Sequence, residues 1–380
     1  MMLISRRNLL RRVAGGAVAA TAIPLIGEFS FAAPTPSSRA EQHGGPIRLS
    51  MNENAYGPSE SVKATMRESL SLVNRYPDSA DALVGEIASL HAVKPEQVVV
   101  GCGSIEILRM AAATFLGRSK KLIMASPTFD PIAEYARRAG AAVATVRLTT
   151  QYAHDLDAML AHVDASVGLV YICNPNNPTG SLTPRRDLET FIRRLPSATR
   201  VLVDEAYHHY AGTSSAYASF IDRPVDDGRV IVTRTLSNVY GLAGLRLGYA
   251  IAAPGPARQL SSIRPPMDVN VLALRCGATA LRDSDHVSLS VQRNANDRQE
   301  FYNQANARML RVIDSHANFV MLNTGGPAEE AIDHLKKHNI LVAPPIPSMK
   351  RYIRVSLGKP QEMLEFWRVW DLMPHRKMQM

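Results

Sequence analysis

Short apolar runs alternate with segments of helical spacing through most of the chain. Strand-like runs occupy residues 97–101, 121–125, 168–173, 201–204 and 230–233. They are nearly continuous in apolar side chains and bounded by turn formers, as strands buried on both faces are. Between them, residues 105–115 and 185–195 repeat their apolar positions at three and four, the period of an amphipathic helix. The alternation predicts an α/β layer with a mainly parallel sheet flanked by helices. From about residue 262 the pattern loosens into helices, clearest over 300–313 and 328–338, followed by strand-like 340–343 and 352–355. This reads as a second, smaller α+β domain. No short internal repeat interrupts the pattern.

The N-terminus follows a different rule. Ser5-Arg6-Arg7-Asn8-Leu9-Leu10 precedes an apolar run over 13–26, and Ser30-Phe31-Ala32 offers small residues around a cleavage point. This predicts a twin-arginine export signal over residues 1–32 and a periplasmic or secreted protein. The apolar run is short for a bilayer span, which argues against a stable membrane anchor. The expected organisation is then a signal (1–32), an N-terminal arm (33–58), a large domain (59–261) and a small C-terminal domain (262–380).

Composition narrows the function classes. With 46% hydrophobic and 20% charged residues over 380 positions, the chain is globular and neither disordered nor of low complexity. Of the formal charge of +9, the signal carries three, which leaves the body at about +6 with no dense Lys/Arg block. That balance argues against a nucleic-acid partner and suits small anionic ligands. Cys102, Cys173 and Cys276 are too few and too widely spaced for a disulfide framework or a metal site, so they read as packing residues. His208 and His209 lack a third ligand nearby in sequence and read as a loop or strand-end pair.

Four clusters sit where strands end. Gly101-Cys102-Gly103-Ser104-Ile105 leaves a strand and opens a helix, where glycine permits close backbone approach and free N–H groups attract a phosphate. Taken alone it is equally a tight turn. Asn174-Pro175-Asn176-Asn177-Pro178-Thr179-Gly180 is a turn by composition, yet Asn177 carries an amide able to reach an oxygen on an aromatic ligand. Asp204-Glu205-Ala206-Tyr207 places a carboxylate at the end of a buried strand, where it needs a cation, a cap or a structural ion pair. The fourth cluster is Thr235-Leu236-Ser237-Asn238-Val239-Tyr240-Gly241-Leu242-Ala243-Gly244-Leu245-Arg246. In open α/β sheets ligands bind beyond the carboxyl ends of the strands, which is where all four fall.

In this order, the clusters resemble the fold type I, pyridoxal-phosphate-dependent aminotransferases of the aspartate aminotransferase superfamily, and most the histidinol-phosphate aminotransferase branch. Asn52-Glu53-Asn54-Ala55-Tyr56-Gly57-Pro58, Arg75-Tyr76-Pro77-Asp78 and Tyr352-Ile353-Arg354-Val355-Ser356 extend the resemblance over roughly residues 47–370. It implies pyridoxal 5′-phosphate as cofactor, a homodimer, and amino-group transfer between an amino acid or amine and a 2-oxo acid. Carried over by position, Gly103, Ser104 and Ile105 would contact the cofactor phosphate through their backbone, aided by Thr235, Ser237 and Arg246. Phe129 would stack on the ring, Asn177 and Tyr207 would bind its hydroxyl, and Asp204 its nitrogen. Tyr76 would reach the phosphate in the neighbouring subunit, Arg354 would grip the substrate α-carboxylate, and Tyr56 would join the substrate site.

The chain departs from the family at three places. Where the family carries the Schiff-base lysine this chain has Asn238, whose amide neither forms that link nor accepts a proton. Transfer is therefore expected to be impaired or lost as written. An exported cofactor- or metabolite-binding pseudoenzyme, or a lysine-independent pyridoxamine-phosphate enzyme, are the alternatives. Val342-Ala343-Pro344 lacks the arginine that the branch uses on a distal phosphate, and Ile105 replaces a polar residue after the phosphate turn. Lys350 lies near Arg354 in sequence, but with Arg351 it reads as a solvated pair.

Overall fold

The computed structural model describes residues 45–212, 214–224 and 227–373. The export-signal reading of 1–32 and the first part of the expected arm lie outside the described residues.

A short strand, β1 (Ile47–Leu49), leads into the large sheet, built from β2 (Val98–Cys102), β3 (Lys121–Ser126), β4 (Val143–Arg147), β5 (Val167–Cys173), β6 (Arg200–Asp204), β7 (Val230–Thr235) and β8 (Leu247–Ala252). Its spatial order is β2-β8-β7-β6-β5-β3-β4. All neighbours pair in parallel except β8, which runs antiparallel to both β2 and β7. The remaining strands are β9 (Val312–Ile313), β10 (Phe319–Asn323), β11 (Ile340–Val342) and β12 (Tyr352–Ser356). β9, β10 and β12 form a smaller antiparallel sheet, and β11 pairs in parallel with β1. The N-terminal arm thus returns to the far end of the chain.

The first helices of the described residues are α1 (Glu60–Ser69), α2 (Asp81–Leu90), α3 (Ser104–Phe115), α4 (Pro131–Arg138), α5 (Leu156–Ala161), α6 (Arg185–Arg194), α7 (His208–Ala211) and α8 (Pro254–Ser261). Then come α9 (Val271–Arg282), α10 (Ser284–Ala307), α11 (Ala328–Lys337) and α12 (Pro360–Trp370). The strand pleat divides the sheet's side chains between two cores. Val100, Val170, Val203 and Val232 face α2, α6 and α9, whereas Val99, Tyr171, Leu202 and Ile231 face α3, α4 and α8. Because both faces are covered, the middles of these strands are nearly continuous in apolar side chains, and the polar residues gather toward their ends. A third core gathers Leu49, Phe301, Val320, Val355, Phe366 and Trp367 around the small sheet. α9 packs on α1 and α2 in the first core, although it lies beyond residue 262.

Two expectations are corrected. The helix expected over 300–313 is the end of the much longer α10, and residues 312–313 are strand β9. Residues 284–299 are too polar to show a helical stripe, yet Asp283 caps the start by accepting the His286 N–H. At the other end Met309 adopts a left-handed φ of 55° and Leu310 N–H returns to the Ala305 carbonyl, which stops the helix. His208 and His209 lie in the short helix α7 rather than in a loop or strand end. Burial lowers the pKa of both, His209 to about 3. The three cysteines are free thiols, two of them buried, in keeping with a packing role.

Gly241 fixes the arm against the loop that follows β7. Its φ is +68°, and a Cβ there would lie 2.4 Å from the Gly57 carbonyl carbon. Asn54 Nδ2 adds a bond to the Val239 carbonyl at 3.0 Å. Gly241→Ala is expected to cost on the order of 2 kcal/mol or more, through the left-handed backbone and the clash together. Denaturant unfolding checks this; a midpoint unchanged from the parent would show that the arm yields freely.

Candidate active site

The carboxyl ends of the parallel strands bring the sequence clusters to one edge of the sheet. Gly103 and Ser104 follow β2, Phe129 follows β3, Asn177 follows β5, Asp204 ends β6, and Thr235, Ser237 and Asn238 end or follow β7. Arg246 immediately precedes β8, which starts at that same edge because it runs the other way.

The turn after β2 is built for an anion. Gly103 has φ +78°, and a Cβ there would sit 2.6 Å from Arg246 Nη2, so only glycine lets the guanidinium lie against the backbone. Ser104 and Ile105 form the first turn of α3, whose N–H groups lack helical partners. Arg246 Nη1 donates to Ser237 Oγ at 3.3 Å and to the Ala243 carbonyl at 3.0 Å. Thr235 Oγ1 donates to Ser237 Oγ at 3.0 Å and accepts the Ser237 N–H at 3.1 Å. From below, Gly248 lets the turn lie flat on β8, since a Cβ there would fall 2.3 Å from Ser104 N. Gly248 was not anticipated, although a glycine inside an apolar strand marks a close backbone approach.

Asp204 is 2% exposed, accepts the Tyr171 hydroxyl at 2.9 Å and the Ala206 N–H at 3.2 Å, and has no cation against it among the described residues. Burial pushes its carboxyl up to about 6, with the Tyr171 bond opposing the rise. Tyr171 was also missed, because inside a continuous apolar strand a tyrosine reads as one more hydrophobe; its buried hydroxyl was the signal.

A chain of polar groups runs from Tyr207 to the small sheet. The Tyr207 hydroxyl accepts from Asn52 Nδ2 at 2.9 Å and from Asn177 Nδ2 at 3.2 Å. Burial raises its pKa above the ordinary phenol value. Asn177 Oδ1 accepts from Arg354 Nη1 at 2.6 Å, and Arg354 Nη2 donates to the Ser50 carbonyl at 2.9 Å. Arg354 Nε is buried without a partner, and no carboxylate pairs with this guanidinium among the described residues. Burial lowers its pKa, with Tyr207 opposing. Asn52, quoted in its motif without a role, supplies the second bond to Tyr207.

Phe129 and Arg354 line a cleft of about 530 Å³, with Asn177 between strand edge and opening and Ala343-Pro344-Pro345 as a wall. Asn176 holds the loop that carries Phe129: it accepts the Thr128 hydroxyl at 2.6 Å and donates to the Pro127 carbonyl at 3.1 Å.

Other expected residues lie apart or differently placed. Tyr56 directs its hydroxyl to Asp297 on α10, at 3.0 and 3.3 Å, beneath the Arg293 guanidinium. Tyr76 is 80% exposed. Lys350 and Arg351 are exposed, with Arg351 Nη2 on the Gly325 carbonyl, as a solvated pair would be. Asn238 is buried, and its Nδ2 donates to the Ala206 carbonyl at 2.9 Å.

The Asp204 environment has a measurable consequence. A carboxyl raised from 3.8 to about 6 favours the protonated form in the fold, so its contribution to stability is full below about pH 4 and is lost as pH rises through about 6. Asp204→Asn removes that loss. The ligand-free variant is expected to gain on the order of 2–3 kcal/mol over the parent between pH 4 and pH 8. Equal pH dependence of the two unfolding curves would contradict it.

Comparison with known proteins shows the family. A family model for class I and II aminotransferases matches residues 45–368. The histidinol-phosphate aminotransferase of Caldicellulosiruptor saccharolyticus is 36% identical, over 84% of this chain and 89% of that protein. The Bacillus subtilis histidinol-phosphate aminotransferase is 33% identical, over 78% and 82%. The crystal structure of the Sinorhizobium meliloti histidinol-phosphate aminotransferase in complex with pyridoxal-5′-phosphate superposes with a TM-score of 0.81 at 27% identity, covering 87% of this chain and 92% of that one. Family model, relatives and fold converge: the chain belongs to the class I and II aminotransferases and is histidinol-phosphate aminotransferase-like.

Proposed function

We propose that this aminotransferase holds pyridoxal 5′-phosphate without a covalent link, and that Asn238 leaves amino-group transfer impaired. The observation that carries the cofactor assignment is Asp204, a buried carboxyl with a hydroxyl and an N–H against it but no cation. A protonated ring nitrogen supplies the missing charge. The turn at Gly103, with Ser104, Ile105, Thr235, Ser237 and Arg246, suits the phosphate, and Tyr207 with Asn177 suits the ring hydroxyl. Phe129 covers the ring.

When bound, the cofactor ring withdraws electrons from the carbon that bears the substrate amine. The chain's own residues do the rest. Asp204 keeps the ring nitrogen protonated. Arg354, with Nε free and its two Nη groups on neutral oxygens, holds the α-carboxylate of an amino acid or a 2-oxo acid in a planar grip. Position 238 offers a conjugated amide, which takes no proton from the substrate carbon. Loss of a general base alone forfeits about two to four powers of ten in rate. Ala343 stands in the cleft wall where the branch carries an arginine, so a donor with a distal phosphate loses one cationic contact there, while Arg137 lines the same cleft.

The working unit is a homodimer in which the exposed Tyr76 enters the neighbouring site. Residues 1–32 direct the folded protein through the twin-arginine route to the periplasm. An exported cofactor- or metabolite-binding protein without turnover is the second reading, favoured by the same Asn238.

Asn238→Lys is expected to raise turnover of a broad panel of amino donors with a 2-oxo acid by at least about a hundredfold. If that variant takes up cofactor yet transfers no amino group, the binding-protein reading replaces this one. Arg6→Lys with Arg7→Lys is expected to hold the protein in the cytoplasm, and undiminished periplasmic accumulation would overturn the export assignment.

A further inference from the structure

The side chain of Asn238 has two ends, and only one is engaged. Nδ2 donates to the Ala206 carbonyl at 2.9 Å, and a carbonyl accepts only from the nitrogen end, so this bond fixes which way the amide points. Among the described residues no donor reaches Oδ1. The residue is 6% exposed, yet Oδ1 is absent from the sealed, unpartnered atoms of the interior, so solvent reaches it. The amide therefore presents an acceptor to open space.

The residues joined by this bond and those next to it in the chain belong to the candidate site. Ala206 sits between Asp204 and Tyr207, while Ser237 and Arg246 belong to the same loop as Asn238. Asn238 bridges the segment assigned to the ring and the segment assigned to the phosphate. Its own carbonyl is held by the Gly241 N–H at 3.0 Å, and Asn54 holds the next carbonyl, so the acceptor is fixed from both sides.

We infer that Asn238 Oδ1 makes this site selective for the aminated form of the cofactor, pyridoxamine 5′-phosphate, over the aldehyde form. The inference rests on the cofactor site proposed above and adds a preference to it. An aminomethyl group is a charged donor and pairs with an amide oxygen. An aldehyde is an acceptor, and it meets Oδ1 with two lone pairs facing one another. Hydrogen bonds to a charged partner are the stronger class. A site with this polarity stores amino groups on its cofactor, and it is loaded by whatever amine chemistry has already formed that ligand elsewhere.

Isothermal titration of the dimeric parent protein tests it, with three ligands that differ at one carbon: pyridoxamine 5′-phosphate, 4-deoxypyridoxine 5′-phosphate with a methyl group, and pyridoxal 5′-phosphate. The amine is expected to bind about tenfold more tightly than the methyl form, with the aldehyde weakest. Asn238→Leu is expected to close the gap between amine and methyl while leaving affinity for the methyl form within about threefold. Circular dichroism establishes that the variant folds, and the parent series stands without it. Equal binding of all three by the parent overturns the selectivity and leaves the cofactor site intact. A gap that survives in Asn238→Leu assigns it to another group and overturns the role of Asn238. No binding of any of the three overturns both readings.

Discussion

The site is organised around one electrostatic constraint: a carboxyl group carried to the end of a fully buried strand has to be neutral or paired. Among the described residues no cation lies against Asp204, and the constraint is met with one tyrosine hydroxyl, one backbone N–H and a carboxyl pushed up to about 6. Compare Glu205, the next residue. It is equally buried, but Arg234 lies 3.0 Å away, and Ser219 and the Phe220 N–H complete its shell. The two neighbours have opposite roles. Glu205 is satisfied within the chain and locks β6 to β7, whereas Asp204 has only a hydroxyl and an N–H against it among the described residues.

Much of the large sheet was readable because strands covered on both faces are nearly continuous in apolar side chains, and because turn formers mark where they stop. The clusters at those ends were readable for the same reason. What escaped reading depends on contacts across the chain. Tyr171 and Asp204 sit on neighbouring strands, and only the register of β5 against β6 sets the hydroxyl near the carboxylate. α10 shows a different failure: its first half has little apolar stripe to read, and its ends are set by a cap and a left-handed residue rather than by periodicity. The placement of α9 in the first core was equally hidden, since its apolar face says that it packs and not on what.

The substrate side has a simpler logic. Arg354 comes from the small antiparallel sheet, while the oxygen it holds on Asn177 lies in the loop after β5 of the large one. Under the proposed reading, a carboxylate held by Arg354 would sit between these groups, so affinity for it would depend on how they are held together. The wall at Ala343, Pro344 and Pro345 is apolar and stiff, and Arg137 lines the same cleft.

The polar chain at the carboxylate end also sets a temporal requirement. Arg354 bonds to Ser50, and Ser356 accepts the Asn52 N–H, each across 304 positions of sequence. β1 likewise waits for β11. During synthesis the arm emerges early with its donors and acceptors unpaired, and nearly the whole chain must follow before their partners exist. The large sheet can collapse meanwhile, since its strands lie between residues 98 and 252. Closure of the contacts around Arg354 is then among the last events of folding, and a nascent chain stalled before β12 would carry a finished turn after β2 beside an arm still without its partners.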